Sequence, residues 1–135
     1  SLRDLAMHAV DGLQPNGPLW VCAHSLGGAL SSLAVLDLRE RWPDLPLQHY
    51  SFASPRLAAV DFAGHYNALG VPTFRLVNDS DLVPEVPPAD SDGWLYQHLG
   101  LPVTFTASYA GVVANHSMAD CYLYALHNPE APMRG

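Results

Sequence analysis

One serine lies where the pattern of the chain changes, and its neighbours are those of a nucleophile. Residues 19–23 form a continuous apolar run, which favours a strand buried in a parallel sheet. From Gly27 onward apolar residues recur at helical spacing, so Ser25 falls in a sharp turn from strand to helix. Small residues surround this turn: Ala23, Gly27 and Gly28. The pattern is typical of a nucleophile elbow, which holds a serine hydroxyl above the end of a sheet. The alternative is structural, because a serine is also a good N-cap for a buried helix.

A serine hydroxyl is a weak nucleophile at neutral pH, so the chemical interpretation requires partners. It needs a base, and the base needs an acceptor that orients it. In one large class of serine hydrolases the chain order is serine, then acid, then histidine. The sequence offers this order in Ser25, Asp81 and His116.

Other acids and histidines compete for the same roles. Asp79 lies two residues before Asp81 and is typical of a turn that closes a strand. His98 is the other late histidine, and we expect it to pack or form hydrogen bonds beneath the site. His24 should point away from the nucleophile, because neighbours in a strand alternate. The remaining histidines are assigned to helix and strand surfaces: His8, His49, His65 and His127.

The elements that must position these residues alternate between helix and strand. The apolar spacing predicts a helix over residues 2–13, followed by the elbow strand and a helix that Trp42-Pro43 ends. Further strands are predicted at 49–53, 73–77 and 103–106, and further helices at 58–69 and 117–127. Residues 89–102 give no clear pattern, and residues 107–115 are predicted as loop.

This alternation predicts an α/β fold. We expect a mostly parallel sheet of about four strands, with helices on both faces. In open sheets of this kind the site lies at the carboxyl ends of the strands. Ser25, the cluster at 78–81 and the segment holding His116 all fall at such positions. The three candidate residues should therefore meet at one edge of the sheet.

Composition limits the possible partners. The 135 residues are 49% apolar and 14% charged, with a net charge of −7, and all six basic residues are arginine. The absence of a basic cluster argues against a nucleic-acid partner. No apolar run approaches the ~20 residues of a membrane span, and no secretory signal opens the sequence. Cys22 and Cys121 are expected to be buried free thiols. No His or Cys spacing indicates a zinc site.

Several stretches together resemble the class 3 lipases, a family of α/β-hydrolases that includes fungal triacylglycerol lipases. The matching stretches follow in order along nearly the whole chain: residues 23–30 (AHSLGGAL), 52–56 (FASPR), 75–84 (RLVNDSDLVP), 87–88 (PP), 96–100 (YQHLG) and 115–117 (NHS). The resemblance implies that Ser25 is the nucleophile, Asp81 the acid and a late histidine the base. His116 is favoured over His98, because the family's catalytic histidine also precedes its last helix. The backbone N–H of Leu26 would be an oxyanion donor.

The resemblance implies a serine carboxylic ester hydrolase that acts on acyl lipids and needs no metal or cofactor, and a lipid–water interface is a candidate place of action. The sequence departs from the family pattern where Ala23 and Ala53 replace glycine and where Ala58-Ala59 replaces a glycine-containing pair. In the family, several strands and the other oxyanion donor precede the elbow. We therefore expect residues 1–135 to be a single, truncated α/β-hydrolase domain whose open strand edge favours self-association. The alternatives are an inactive fragment and a non-catalytic binding module on the same fold.

Overall fold

The computed structural model describes residues 1–13 and 16–129. Its helices are α1 (Leu2–Leu13), α2 (Leu26–Arg41), α3 (Val60–Ala68), α4 (Val112–His116) and α5 (Leu123–His127). Its strands are β1 (Leu19–His24), β2 (Leu47–Phe52), β3 (Ala58–Ala59), β4 (Thr73–Asn78), β5 (Asp90–Ser91), β6 (Trp94–Gln97) and β7 (Leu101–Phe105). A 3-10 turn covers Val83–Glu85, and a π-helical segment covers Met118–Tyr122. Among the described residues, no helix has both the length and the apolar character needed to cross a bilayer.

Four parallel strands form the main sheet, in the order β1-β2-β4-β7. This confirms the α/β fold and the four-stranded parallel sheet predicted from the sequence. Within the described residues, β1 pairs only with β2, so its other edge is open. Three polar positions were expected at the carboxyl edge. Ser25 directly follows β1, the cluster at 78–81 begins at the last residue of β4, and His116 is the last residue of α4.

One hydrophobic cluster joins the sheet to α2 and α3. Its buried members include Val35 and Leu38 from α2, Leu47 from β2, and Tyr66 from α3. His49 of β2 is buried with them, at 1% exposure, so the prediction of a surface position was wrong. Its Nε2 lies 2.7 Å from Ser31 Oγ and its Nδ1 lies 2.8 Å from Tyr66 OH. These contacts satisfy a buried imidazole and link β2 to both helices.

Residues 89–102, which show no clear pattern in the sequence, contain two strands of a second, smaller sheet. β3, β6 and β5 pair antiparallel in that order, and Asp92 and Gly93 form the tight turn between β5 and β6 with positive φ angles. The strands are two to four residues long, which is too short for an alternating pattern to appear in the sequence. Residues 58 and 59 were predicted as the start of a helix, but they pair with β6.

The C-terminal part of the structure differs from the prediction of a loop followed by one helix. Residues 112–116 form α4, and the π-helical segment and α5 follow. Ser117 caps the π-helical segment, with its Oγ accepting from the Asp120 backbone N–H at 3.2 Å and donating to the Asp120 carboxylate at 2.8 Å. A helical segment therefore begins after Ser117 as predicted, but its first five residues are π-helical. A second cluster lies here, with Cys121 and Tyr122 fully buried beside Ala53 and Leu76.

Several apolar side chains of the first elements remain exposed. Leu5 and Leu13 on the predicted apolar face of α1 are 67% and 72% exposed, and Trp20 on β1 is 61% exposed. Cys22 is also exposed, which corrects the expectation of two buried thiols; only Cys121 is buried. Trp20 and Cys22 alternate along β1, so they lie on the same face of the main sheet, and that face is exposed at both positions.

Candidate active site

Ser25 occupies a strained turn between β1 and α2. Its backbone has φ 58° and ψ −134°, a region that non-glycine residues enter only when the surrounding structure enforces it. Its N–H donates to Phe52 O at 2.9 Å, and its carbonyl accepts from Gly28 N–H at 2.8 Å. The end of β2 and the first turn of α2 therefore hold the turn on both sides. Strain of this kind clusters at functional sites.

His116 lies against this serine at the C-terminal end of α4. Its Nε2 is 2.7 Å from Ser25 Oγ, and its Nδ1 is 2.8 Å from Asp81 Oδ2. A carboxylate oxygen can only accept, so the proton of the neutral ring lies on Nδ1 and Nε2 accepts from the serine hydroxyl. The His116 side chain is 19% exposed and that of Asp81 is fully buried. A base at hydrogen-bond distance from a nucleophile, oriented by a third group, is the geometry that nucleophilic catalysis requires.

Asp81 is held by donors on both of its carboxylate oxygens. Oδ1 accepts from Val83 N–H at 3.0 Å, and Oδ2 accepts from the Tyr122 hydroxyl at 2.8 Å as well as from His116. Burial, together with the nearby Asp81 carboxylate, raises the pKa of Tyr122 well above its ordinary value. The phenol therefore stays protonated and remains a donor. The role of Tyr122 was not predicted, because its sequence signal is only an aromatic residue in the last helix.

The candidate oxyanion donor lies next to the serine. Leu26 is the first residue of α2, and the first N–H groups of a helix have no acceptor within the helix. The positive end of the helix dipole also favours developing negative charge at this position. The structure thus places Ser25, Leu26, Asp81 and His116 together at the carboxyl edge of the sheet.

The competing residues lie elsewhere. Asp79 is exposed and accepts from Thr106 Oγ1 at 3.0 Å, away from His116. His98 lies against Arg75, Arg56 and the Pro84 backbone; burial, followed by these two guanidinium groups, lowers its pKa to about 4. His65 and His127 are exposed on α3 and α5, as predicted.

His24 makes a contact that the sequence did not predict. It was predicted to point away from the nucleophile, and its Nε2 lies 2.8 Å from the carbonyl oxygen of His116. The two imidazole centroids are 4.6 Å apart, with 37° between the ring planes. Strand alternation gave the direction of the ring but could not show that a segment 92 residues later covers that face.

No group of three or more His, Cys, Asp or Glu side chains suitable for a metal ion occurs within the described part of the chain.

The parallel sheet with a serine at a strand-to-helix turn defines an α/β-hydrolase. The family model described as lipase (class 3) matches residues 3–91, about two thirds of the sequence, and the chain belongs to this family. The Rhizomucor miehei lipase is 38% identical over 78 residues, which cover 56% of this chain and 22% of that lipase. The chain thus spans about a fifth of the length of such curated relatives.

Solved structures give the same result at the level of the fold. A lipase from Rhizopus microsporus var. chinensis superimposes with a TM-score of 0.68 and 32% identity, over 81% of this chain and 39% of that one. A triacylglycerol lipase whose catalytic centre is formed by a serine protease triad superimposes with a TM-score of 0.64 and 34% identity, over 73% and 38% of the two chains. These likenesses confirm the predicted resemblance to the fungal lipases.

Proposed function

We propose that the chain carries the nucleophile, base and acid of a serine carboxylic ester hydrolase that acts on acyl lipids. The observation that carries the proposal is the hydrogen-bonded series Ser25 Oγ, His116 and Asp81, with distances of 2.7 and 2.8 Å. Membership in the lipase family and the triad of the similar triacylglycerol lipase support it. We infer that residues 1–135 belong to one α/β-hydrolase domain.

In the proposed reaction, His116 Nε2 takes the hydroxyl proton as Ser25 Oγ attacks the ester carbonyl. The carbonyl oxygen becomes an oxyanion that accepts from Leu26 N–H, while Asp81 stabilises the imidazolium form of His116. His116 then donates the proton to the departing alcohol, leaving an acyl group on Ser25. Water, deprotonated by His116, attacks this acyl-enzyme and releases the carboxylic acid and the free serine.

Exposed aliphatic side chains support an acyl lipid as the substrate. Leu26 directly follows Ser25, Leu82 directly follows Asp81, and Val112 and Val113 lie one turn before His116; all four are exposed, and Val113 is 87% exposed. Each polar member of the site thus has an aliphatic neighbour at the surface. Aliphatic surface of this kind gains free energy when it contacts an acyl chain or a lipid–water interface.

Mutation of the two reacting side chains tests the proposal. Ser25→Ala and His116→Ala should each abolish turnover of a short-chain p-nitrophenyl ester in the complete protein, by a factor on the order of 10⁶. Both variants should also lose labelling by a fluorophosphonate probe, which needs an activated serine. A Ser25→Ala variant that keeps its turnover would overturn the proposal. His65→Ala, on the exposed face of α3, is the matched control.

A further inference from the structure

His24 is a half-buried polar link between the two segments that form the site. It ends β1, directly before Ser25, and its ring lies against the ring of His116. Its Nε2 is 2.8 Å from the His116 carbonyl oxygen. Because a carbonyl only accepts, Nε2 must carry a proton and donate. The reaction described above uses none of these atoms.

The acceptor of this bond is a carbonyl that its own helix leaves unpaired. His116 is the last residue of α4, and the final carbonyls of a helix have no intrahelical donor. The chain turns extended at Ser117, with ψ 125°, before the π-helical segment begins. His24 therefore supplies the donor that the end of α4 lacks.

α4 depends on such external contacts for its position. It has only five residues, and an isolated helix of that length is not stable in water. Asn115 anchors it on one side, with its carbonyl accepting from Asn78 Nδ2 at 3.2 Å and its Oδ1 accepting from Tyr109 N–H at 2.7 Å. The bond from His24 holds the next residue, from which the reacting imidazole projects. It also connects that residue to the strand that carries Ser25.

We propose that His24 is a positioning residue for His116. By fixing the His116 main chain relative to the end of β1, it keeps His116 Nε2 within 2.7 Å of Ser25 Oγ. Its ring is bonded to the main chain of His116, whose own ring contacts the serine hydroxyl, so His24 acts through His116. This inference rests on the proposed function of Ser25 and His116.

Loss of the donor should reduce the rate of the chemical step more than substrate binding. A displacement of about 1 Å between reacting groups can reduce the rate by about 100-fold. We expect His24→Leu to lower kcat for a p-nitrophenyl ester by roughly 10- to 100-fold in the complete protein, with KM changed less than about threefold. The fluorophosphonate labelling rate should fall by the same factor as kcat.

The conservative variant separates positioning from packing. The Nε2 of glutamine lies at nearly the same reach as the Nε2 of histidine and can donate to the same carbonyl. His24→Gln should therefore recover most of the lost kcat, and His65→Leu on α3 is the control for loss of a histidine. If His24→Leu keeps the wild-type kcat, or if the leucine and glutamine variants lose kcat equally, the positioning role is wrong. The proposed function would still stand in that case, because its own test is the activity of Ser25→Ala.

Discussion

At the scale of single residues, Asp81 is the most constrained group of the site. It is fully buried, and its carboxylate accepts from His116, from Tyr122 and from the Val83 backbone. Removing its charge while keeping its shape should leave His116 in the wrong tautomer, because an amide can donate to Nδ1. Asp81→Asn is expected to lower kcat by about 10⁴-fold, measured by ester turnover in the complete protein.

Asp79→Asn is the matched control for that prediction. Its side chain is exposed and contacts Thr106 rather than His116, so activity should change less than about threefold, as for most surface positions. The opposite result, with Asp79→Asn inactive and Asp81→Asn active, would reverse the assignment of the acid.

A second residue-scale prediction concerns His49. Burial lowers its pKa from 6.5 to about 4 in the folded protein. Between these two values the unfolded chain binds a proton that the folded chain does not, so the free energy of unfolding falls as the pH decreases through this window. The stability is fully present above pH 6.5 and is lost towards pH 4.

Denaturant unfolding at pH 6.5 and pH 5 measures this effect. The unfolding free energy of His49→Gln should fall less steeply with decreasing pH than that of the wild type, by up to about 1 kcal/mol per pH unit. This difference in slope does not depend on how the substitution changes the absolute stability. His98 should contribute in the same direction, because its pKa is also lowered to about 4, so a His98→Gln variant is expected to reduce the slope as well. An unchanged slope in both variants would show that these imidazoles are protonated in the folded state.

At the scale of elements, the approach of α2 to the turn after β2 determines the geometry of the elbow. A Cβ atom on Gly28 would lie 2.8 Å from Ser54 Cβ and 3.3 Å from Ser51 Cβ. Both neighbours are buried, so α2 would have to move away from β2. Gly28→Ala should therefore destabilise the fold by about 1–3 kcal/mol, measured by denaturant unfolding.

The adjacent glycine provides the control. A Cβ atom on Gly27 would meet only Ala23 Cβ, at an ordinary distance of 3.8 Å. Since alanine is favoured over glycine in a helix by up to about 1 kcal/mol, Gly27→Ala should be neutral or stabilising. If both substitutions destabilise the fold equally, the close packing of α2 is not the reason why position 28 requires glycine.

The sequence predicted the longer elements better than the contacts between distant ones. The strands β1, β2 and β4 and the helix α1 lie close to their predicted places. Position 23 does not require glycine, because Ala23 lies in β1 and has no positive φ. Position 53 has a φ of 52°, which favours glycine, yet this chain has Ala53 where the family has glycine. The short strands β3, β5 and β6 and the helix α4 carry too few residues for a pattern.

In the candidate site, too, single residues were predicted better than the contacts between distant segments. Chain order and family motifs were sufficient to select Ser25, Asp81 and His116, which the structure brings together. They could not select Tyr122 or His24, whose contacts depend on how α4 and the π-helical segment fold back over the end of the sheet. The burial of His49 was missed for a related reason, because its partners Ser31 and Tyr66 lie on two separate helices.

At the scale of the whole molecule, β1 directly precedes the proposed nucleophile and has an open edge. The strand pairs with β2 on one side, and no other described strand pairs with it. Trp20 and Cys22 are exposed on β1 itself, and apolar side chains on α1 and α2 are also exposed: Leu5, Leu13, Leu26, Leu30 and Leu33. An exposed apolar strand edge is a template for pairing with another chain.

We therefore expect the 135-residue chain, expressed alone, to self-associate through β1 and to hydrolyse esters weakly. Size-exclusion chromatography with light scattering should show a mass above that of the 14.6 kDa monomer, increasing with protein concentration. Trp20→Lys should shift the distribution towards monomer, because a charge on an edge strand opposes pairing between strands. Leu95→Lys, at a similarly exposed residue of β6 (59% against 61%), should not. A wild-type chain that stays monomeric at every concentration, or an equal effect of the two lysine substitutions, would rule out β1 as the site of association.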